Sequence, residues 1–473
     1  MATTPRPQQP GFDPASDGSD PDSLLPLAGI RMLEFSVAIA GPTCGRYLAA
    51  LGAEVLKIES WRNPDAVRLL GAGWLPPETD MRVRGDTGPF VGDWNAGKRS
   101  VGINTGSPEG RDLILRLAAM SDVFFTNLAA PVLPAVGLGY EDVRAAKPDI
   151  IYLSMPGFGN TPSRYYDFRA WGPNQAPLAG LDHMTGWPDR PPSGIGSFSY
   201  PDYTNGAHAA VAITAALLHR DLTGEGQFID MSQFENTVAC NGPVIMAFTA
   251  NGTNTGRDGN HLPWVAPHGI YPCAGTERWI ALACEDDAQW AALCALAADA
   301  PFATDPRFAT LDGRLAHVDA LDAALAAWTR AFTPAQLATR LQEHGVPAGM
   351  VQDQADQLTD PQLEARGWWT LVPHGRFGVD LTQGQPVHLS VTPPHWRYGS
   401  PCFGDGTAYA LEELLGLSPE EHRELAERGV VFDPVAPEQR FQRPYLEWIR
   451  YVVRSDQWPE PQPQPAPQPV TAK

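Results

Sequence analysis

The segment 200–208 combines a carboxylate, Asp202, and an imidazole, His208, where an apolar run over 207–222 predicts a helix. A carboxylate at such a place is typical of a helix N-cap, and a histidine on an apolar helix is typical of a buried core residue. Asp202, however, stands ahead of the apolar run among Pro, Asn and Gly residues and not in a plain capping sequence. A carboxylate can also attack a carbonyl carbon or accept a proton. The residues alone leave the capping and the reactive role open.

Three glycine-containing segments are candidates for binding an anion. The turn 38–42 follows a predicted strand and precedes a helix, whose N-terminus offers backbone N–H groups. Segment 95–100 carries the adjacent cations Lys98 and Arg99, and segment 157–159 follows a strand, where α/β proteins place ligands. An ordinary turn and a solvated loop are the alternatives. The sequence lacks GxGxxG, GxxxxGK[ST], GxSxG and HExxH, so the usual dinucleotide, P-loop, hydrolase and zinc-protease motifs are absent.

The composition limits the partners of the protein. The 473-residue chain has 34 basic and 54 acidic side chains, which gives a formal net charge of −20. This excess argues against general binding to nucleic acid or to an anionic membrane, but it leaves room for one local anion site. The six cysteines are scattered, and the sequence shows no metal-ligand spacing, leader-like N-terminus or membrane-spanning apolar run. We therefore expect a cytoplasmic protein without disulfides or a structural metal.

The order of elements predicts an α/β protein with a mostly parallel sheet in its large domain. Strands are expected over 30–37, 54–59, 123–126 and 150–154, with helices over 43–51 and 108–120. Ser107 is the expected N-cap of the second helix, with Pro108 at its first position. The predicted organisation is a disordered tail (1–25), a large α/β domain (26–229 plus 367–431), a linker (230–263), a small α+β domain (264–366) and a C-terminal extension (432–473), disordered from about 457.

Several blocks of the chain resemble, in the same order, the class III CoA-transferases, the group of formyl-CoA transferase and carnitine CoA-transferase. These blocks are GIRMLEFSVAIAGPTCGRYLAALGAEVLKIE (29–59), NAGKRSVGIN (95–104), SDVFFTN (121–127), DIIYLSMPGFG (149–159), PDYTNGAHAAVAITAALLHRDLTGEGQFIDMS (201–232), GNHLPWVAPHGIYPC (259–273), DPRFAT (305–310) and HGVPAGMV (344–351). Each block is weakly specific by itself, but their order over residues 26–431 is specific.

The resemblance implies a Rossmann-like large domain, a smaller α+β domain and a homodimer whose subunits are threaded through each other as interlocked rings. It also implies an acyl-CoA:carboxylate CoA-transferase with one essential carboxylate. The motif D-x-x-x-G-x-H matches Asp202, Gly206 and His208, so this carboxylate falls on Asp202. CoA would then pass between two acids through an aspartyl anhydride and an aspartyl thioester.

The resemblance further implies residues that bind the cosubstrate, an acyl-CoA, with no permanently bound cofactor and no metal. The implied CoA contacts are Ile39, Ala40, Ile103, Asn104, Thr105, Gly106, Asn127, Leu128, Ala129, Arg169, Trp171 and Gly172, and the implied substrate or gating loop is Gly259, Asn260 and His261. Formyl-CoA transferase has Gln at Ile39, Arg at Ser60 and Ala135, and Tyr at Trp171. These departures argue against oxalate or formate and favour a larger, less charged acyl group.

Two alternatives are weighed against a transferase. An α-methylacyl-CoA racemase shares the fold and the acid, but it needs a second acid/base group, a His, where this chain has Trp171. A CoA-binding partner subunit without activity is the other alternative, and the presence of Asp202 argues against it.

Overall fold

The computed structural model describes residues 24–435 except 71–74, 76–77 and 196–199. Its strands are β1 Arg31–Phe35, β2 Glu54–Glu59, β3 Lys98–Ile103, β4 Val123–Thr126, β5 Ile151–Ser154, β6 Phe228–Asp230, β7 His268–Pro272, β8 Trp279–Ala283, β9 Ala348–Val351, β10 Trp369–His374, β11 Gly378–Gln383 and β12 Val431–Phe432. Its α-helices are α1 Ala40–Ala50, α2 Ala66–Leu69, α3 Met81–Asp86, α4 Pro89–Trp94, α5 Pro108–Ala119, α6 Val132–Ala135, α7 Tyr140–Ala146, α8 Gly172–Leu178, α9 Leu181–Met184, α10 Tyr200–Thr223, α11 Gln233–Ala239, α12 Gly242–Asn251, α13 Asp287–Leu296, α14 Leu311–Ala316, α15 Val318–Thr329, α16 Pro334–Glu343, α17 Gln354–Leu358, α18 Pro361–Ala365 and α19 Pro419–Glu427. Two 3₁₀ turns (Pro301–Thr304 and Pro306–Phe308) and a π-helix (Tyr409–Leu414) complete the set.

The chain forms two compact units. Of the described residues, the first unit contains those within 1–179, 196–242 and 361–473, and the second contains those within 180–195 and 243–360. The second unit thus includes 180–195, which the sequence pattern placed in the large domain. Its second segment begins at residue 243, within the expected linker. The expected disordered ends lie outside the described residues, apart from Leu24 and Leu25 of the N-terminal tail, and Leu25 is buried.

The first unit contains a seven-stranded sheet in the order β12-β3-β2-β1-β4-β5-β6. All neighbours are parallel except β12, which pairs antiparallel with β3. Leu33 of β1 lies opposite Leu56 of β2 and Phe124 of β4, and all three side chains are buried. This confirms the predicted α/β class with a parallel sheet. A separate antiparallel pair, β10–β11, belongs to the same unit.

Helices cover both faces of this sheet, because alternate strand residues point to opposite sides. Leu33 and Phe124 belong to a core with α5, α7 and the π-helix, whereas Met32 and Phe125 belong to a core with α1 and α10. Continuous apolar strands of this kind are expected in a sheet buried on both sides.

The second unit has its own core, around a three-stranded antiparallel sheet in the order β7-β8-β9. Helices α13, α15 and α16 contribute its buried apolar residues. In the described part of the chain, no helix is both long and apolar enough to cross a membrane.

Candidate active site

The strand order places a topological switch point between β1 and β4. The chain builds outward from β1 through β2 to β3 and then returns to add β4 on the other side of β1. The loops that leave the carboxyl ends of β1 and β4 diverge there, and open α/β sheets bind ligands in the resulting crevice. Asn127, which follows β4, joins the two loops, since its side-chain amide accepts from the Val37 N–H and donates to the Val37 carbonyl, both at 2.9 Å.

The turn after β1 is held in an unusual backbone conformation. Ala38 has φ +60°, a left-handed geometry that disfavours residues with a Cβ. The Ala38 N–H donates to Asp65 Oδ1 at 2.9 Å, and the other Asp65 oxygen accepts from Lys57 Nζ at 3.1 Å. Lys57 Nζ also donates to the Ser36 carbonyl at 2.7 Å. Burial lowers the pKa of Lys57, but Asp65 and Glu34 outweigh burial and raise it, so this buried cation stays charged and holds the turn.

A second buried cation lies beneath the same turn. Lys98 Nζ donates to Glu34 Oε1 at 2.9 Å, to the Pro42 carbonyl at 2.8 Å and to Asn95 Oδ1 at 3.2 Å. Burial lowers its pKa to about 8, against the attraction of Glu34. Lys98 is therefore a structural ion partner of β1 and not a phosphate-binding cation. Arg99 is engaged too, because its guanidinium stacks on Tyr398 and Tyr409.

Asp202 lies inside a helix and does not precede one. Helix α10 begins at Tyr200, earlier than the apolar pattern predicted, and Asp202 is its third residue and is buried. The first turn of a helix carries a partial positive charge, which favours an ionised carboxylate. His208 is exposed and its Nδ1 contacts the Thr204 carbonyl at 2.9 Å, so it is not the buried core histidine that the sequence left open as one alternative.

Gly206 brings α10 and α1 into close contact. A Cβ at Gly206 would lie 2.7 Å from Thr43 Cβ and 2.9 Å from the Ala40 carbonyl oxygen. Residues four apart on a helix share a face, so Asp202 lies on the side of α10 that meets the start of α1. Ile39, the N-cap of α1, and Ala40, its first residue, are two of the predicted CoA contacts. The structure therefore brings these three predicted site residues to one place.

We expect the Gly206→Ala change to displace α10 from α1 and to move Asp202. Overpacking of this kind costs about 1–3 kcal/mol of stability, and a shift of about 1 Å at a reacting group can lower a rate 100-fold. The matched control is Gly242→Ala at the start of α12, where an added Cβ meets nothing within 4 Å. Thermal unfolding and kcat/KM would check both variants. Unchanged kinetics in Gly206→Ala would contradict the close-contact argument.

The predicted loop after β3 also lies at the carboxyl edge of the sheet. Ile103 ends β3 and is buried, and Asn104 is fixed by its Nδ2, which donates to the Gly429 carbonyl at 3.2 Å. Asn104 Oδ1 accepts from the Gly106 N–H, and the half-buried Thr105 lies between them. The Ser107 hydroxyl caps α5 as the sequence predicted. Leu128 and Ala129, after β4, are half-buried at the same edge of the sheet.

The predicted loop before α8 is more exposed. Arg169 is exposed, Trp171 is the N-cap of α8 with 52% of its surface exposed, and Gly172 is buried as the first helical residue. A Cβ at Gly157 would lie 2.1 Å from Ala170 Cβ, so this loop packs against the glycine loop that follows β5. Both segments leave the carboxyl edge of the sheet.

The predicted gating loop belongs to the second unit. Gly259 has φ +62° and packs on the Trp187 ring, where a Cβ would lie 2.4 Å from a ring carbon. The Asn260 carbonyl contacts His268 Nδ1 at 2.5 Å, and His261 Nε2 contacts Asp322 Oδ2 at 2.7 Å. These contacts fix the loop within its own unit.

Most of the chain is similar to one protein family and to relatives in other organisms. Residues 27–407 match the model described as CoA-transferase family III. A succinyl-CoA–D-citramalate CoA-transferase of Chloroflexus aurantiacus is 33% identical over 408 residues, 86% of this chain and 98% of that protein. A succinate–glutarate CoA-transferase of Agrobacterium fabrum is 32% identical, over 83% of this chain and 97% of that protein.

Solved structures show the same fold. A CAIB/BAIF family protein from Brucella suis superposes with a TM-score of 0.74 at 33% identity, covering 82% of this chain and 99% of that chain. Rv3272 from Mycobacterium tuberculosis superposes with a TM-score of 0.66 at 22% identity, covering 81% and 98%, and supports the fold alone.

Proposed function

The chain belongs to CoA-transferase family III and is a CoA-transferase, and from that premise we propose that it carries CoA between two acids through covalent intermediates on Asp202. The observation that carries the proposal is the position of this carboxylate. It lies in the first turn of α10, is buried, and faces the start of α1 beside the switch point of the sheet. The helix dipole at this place favours the negative charge of the carboxylate, and burial leaves the nucleophile poorly solvated.

The proposed reaction has four balanced steps. An oxygen of Asp202 attacks the donor thioester carbonyl and the C–S bond breaks. CoA leaves as a thiolate, and the donor acyl group stays on Asp202 as a mixed anhydride. The thiolate then attacks the aspartyl carbonyl, which releases the donor acid as a carboxylate and leaves an aspartyl-CoA thioester. The acceptor carboxylate attacks this thioester to form a second anhydride and free the thiolate. Attack of the thiolate on the acceptor acyl carbon gives the new acyl-CoA and restores Asp202, without net uptake of a proton.

The oxyanions formed in these steps need hydrogen-bond donors. Helix α1 has no side-chain cap, and the backbone N–H groups of Ala40 and Gly41 lie in its first turn, where helix geometry provides no acceptor. Gly206 holds this turn against α10. We assign these two N–H groups as the oxyanion donors. Lys57 and Lys98 act one layer further away, by fixing the Ser36 and Pro42 carbonyls of the same loop and helix.

Trapping of the intermediate tests the proposed function. The purified protein is incubated with a panel of acyl-CoA esters, treated with hydroxylamine or borohydride, and digested for mass spectrometry. We expect modification of the peptide that contains Asp202, and no modification in Asp202→Ala. An adduct that persists in Asp202→Ala would remove Asp202 from the mechanism. Exchange of the α-hydrogen with deuterated water, without transfer of CoA, would support a racemase instead.

We also propose that two copies of the chain form the interlocked homodimer that the resemblance implies. Helix α10 supports this proposal, because Val211, Leu218 and Leu222 are 68%, 62% and 78% exposed along one side of it. Exposed apolar patches of this kind mark protein interfaces. Light scattering should give twice the chain mass of 51.2 kDa. A mass of one chain at micromolar concentration would contradict the homodimer.

A further inference from the structure

An apolar surface includes the residue after Asp202 on α10 and the N-cap of α1. We name it the aromatic wall and define it as Ile39, Phe90, Trp94 and Tyr203. The rings of Phe90 and Trp94 stack at 5.4 Å with 14° between their planes, and Trp94 Nε1 donates to the Tyr203 hydroxyl at 3.1 Å. Buried Val67 and Val91 support the wall from behind, while Ile39, Phe90 and Tyr203 keep part of their surface exposed.

The wall is adjacent to the proposed nucleophile along two elements. Tyr203 follows Asp202 directly on α10. Ile39 is the N-cap of α1, the helix end that meets the Asp202 face of α10 at Gly206. Side chains at neighbouring helix positions point in different directions, so Ile39, at the helix end that Asp202 faces, is the part of the aromatic wall that an acyl group on Asp202 reaches first.

The charges near the wall balance each other in one ion pair, although Arg46 Nε has no hydrogen-bond partner among the described residues. The charges of Arg46 and Asp93 shift the pKa of the Tyr203 hydroxyl in opposite directions, because Arg46 lowers it and Asp93 raises it. The two residues form an ion pair with each other at 3.5 Å. Arg46 also donates to the Gln383 carbonyl at 2.8 Å and stacks over the Trp396 ring at 4.9 Å. Burial is the main cause that raises the pKa of Tyr203, so this residue presents a neutral hydroxyl. A second carboxylate on the acyl group would meet ring faces and a guanidinium whose charge Asp93 already balances.

We infer that the acyl groups this enzyme moves are apolar monocarboxylic acids with a branched, alicyclic or aromatic end, and not short dicarboxylic acids. The inference rests on the proposed function, in which Asp202 carries the acyl group. A carboxylate placed against the aromatic wall loses water without gaining a cation, whereas an apolar end gains contact with the rings. In a hydrophobic site, one methylene more or less on the substrate changes kcat/KM by roughly 10- to 200-fold.

Isosteric esters test the inference with the full-length protein. 4-Methylpentanoyl-CoA and succinyl-CoA have acyl groups with the same number and connectivity of heavy atoms, but the first ends in an isopropyl group and the second in a carboxylate. Each ester is incubated with its own acid labelled with ¹³C, and the label that enters the CoA ester is measured. This self-exchange needs no second acid of unknown identity. We expect kcat/KM to be at least about 10-fold higher for 4-methylpentanoyl-CoA. An equal or higher value for succinyl-CoA would overturn the inference.

A pair of variants locates the discrimination on the wall. Ile39→Gln adds an amide to the wall, and Met120→Gln makes the same kind of change on an exposed residue at the C-cap of α5. For each variant, kcat/KM for 4-methylpentanoyl-CoA is divided by kcat/KM for succinyl-CoA. Because both esters contain the same CoA portion, any effect of the substitution on CoA binding cancels in this ratio. We expect Ile39→Gln to lower this ratio about 10-fold and Met120→Gln to leave it unchanged. An unchanged ratio in Ile39→Gln would overturn the role of the wall.

The two proposals fail in different ways. Self-exchange that favours succinyl-CoA, together with an adduct on Asp202, would overturn the inference and leave the proposed function intact. Absence of exchange with every ester, together with absence of an adduct on Asp202, would overturn the proposed function and the inference with it.

Discussion

Replacement of Asp202 by asparagine is expected to lower kcat/KM for CoA exchange by about 10⁴-fold, the scale at which covalent nucleophiles fail. An amide oxygen does not form an anhydride, so every one of the four proposed steps loses its acyl carrier. Asparagine keeps the size of the side chain, and the variant is therefore expected to fold. Steady-state exchange and circular dichroism would check the two statements.

The matched control is Asp221→Asn on the same helix. Asp221 lies near the other end of α10 and is exposed, so its loss changes the charge of the helix by the same amount without touching the switch point. We expect wild-type exchange in this control. Substantial exchange by Asp202→Asn, in a preparation that is shown to be free of wild-type protein, would refute the nucleophile.

Removal of the Arg68 charge is expected to cause a large loss of folding stability. Arg68 is buried on α2 and forms two hydrogen bonds with Glu59, at 2.8 and 2.7 Å, and one with Asp86 at 3.1 Å. Breaking a buried ion pair by deleting one partner costs about 3–5 kcal/mol, because the other charge is left without compensation. We expect Arg68→Met to lower the free energy of unfolding by that amount. Denaturant unfolding would measure it.

The pKa of Glu59 gives this prediction a dependence on pH. Burial opposes its ionisation, but Arg68, Lys57 and the Ser100 hydroxyl outweigh burial and lower its pKa to about 2. A carboxyl whose pKa is lower in the folded state adds stability above its unfolded pKa of about 4.5, and this stability is lost as the pH falls toward 2. In Arg68→Met burial then dominates at Glu59 and raises its pKa, so this carboxyl no longer causes an acid loss of stability. We expect the deficit of the variant relative to the wild type to be largest near neutral pH and to shrink as the pH falls and Glu59 becomes protonated in the folded state, which denaturant unfolding at several pH values would measure.

An exposed arginine of the same region provides the control. Arg82 on α3 pairs with Asp80 at 3.2 Å, and both side chains are more than a third exposed. Exposed ion pairs contribute little, so Arg82→Met should change the unfolding transition far less than Arg68→Met. Equal losses in the two variants would show that burial of the Arg68 network does not govern stability.

Local sequence patterns predicted the elements well where apolar residues follow a regular period. Strands over 54–59 and 123–126 were predicted with the bounds that β2 and β4 have. The N-cap Ser107 of α5 was predicted because Ser followed by Pro at the first helical position is a local signal. Strand β3 was missed, since it begins with two cations after a glycine and looks like a solvated loop.

In the site, as in the fold, the sequence was predictive where neighbouring residues specify a feature and not where packing between distant segments does. The motif around Asp202 identified the carboxylate from its neighbours in sequence, although its role stays a prediction. The start of α10 at Tyr200 was not predicted, because Pro201, Asn205 and Gly206 are weak helix formers. Packing of α10 on α1 and on the sheet stabilises the helix across these residues.

The sequence by itself determined the family and the parallel α/β class, and it predicted the carboxylate on which the proposed chemistry depends, because ordered or periodic runs of neighbouring residues specify each of them. Only the tertiary structure decided that Lys98 is a buried partner of Glu34, 64 residues away, and that Asp65 holds the Ala38 turn. The aromatic wall, built from separate elements, was likewise visible only in the fold. The physical reason is that charge pairing and close packing depend on which strands and helices become neighbours, and the strand order of a sheet is not encoded in any local pattern.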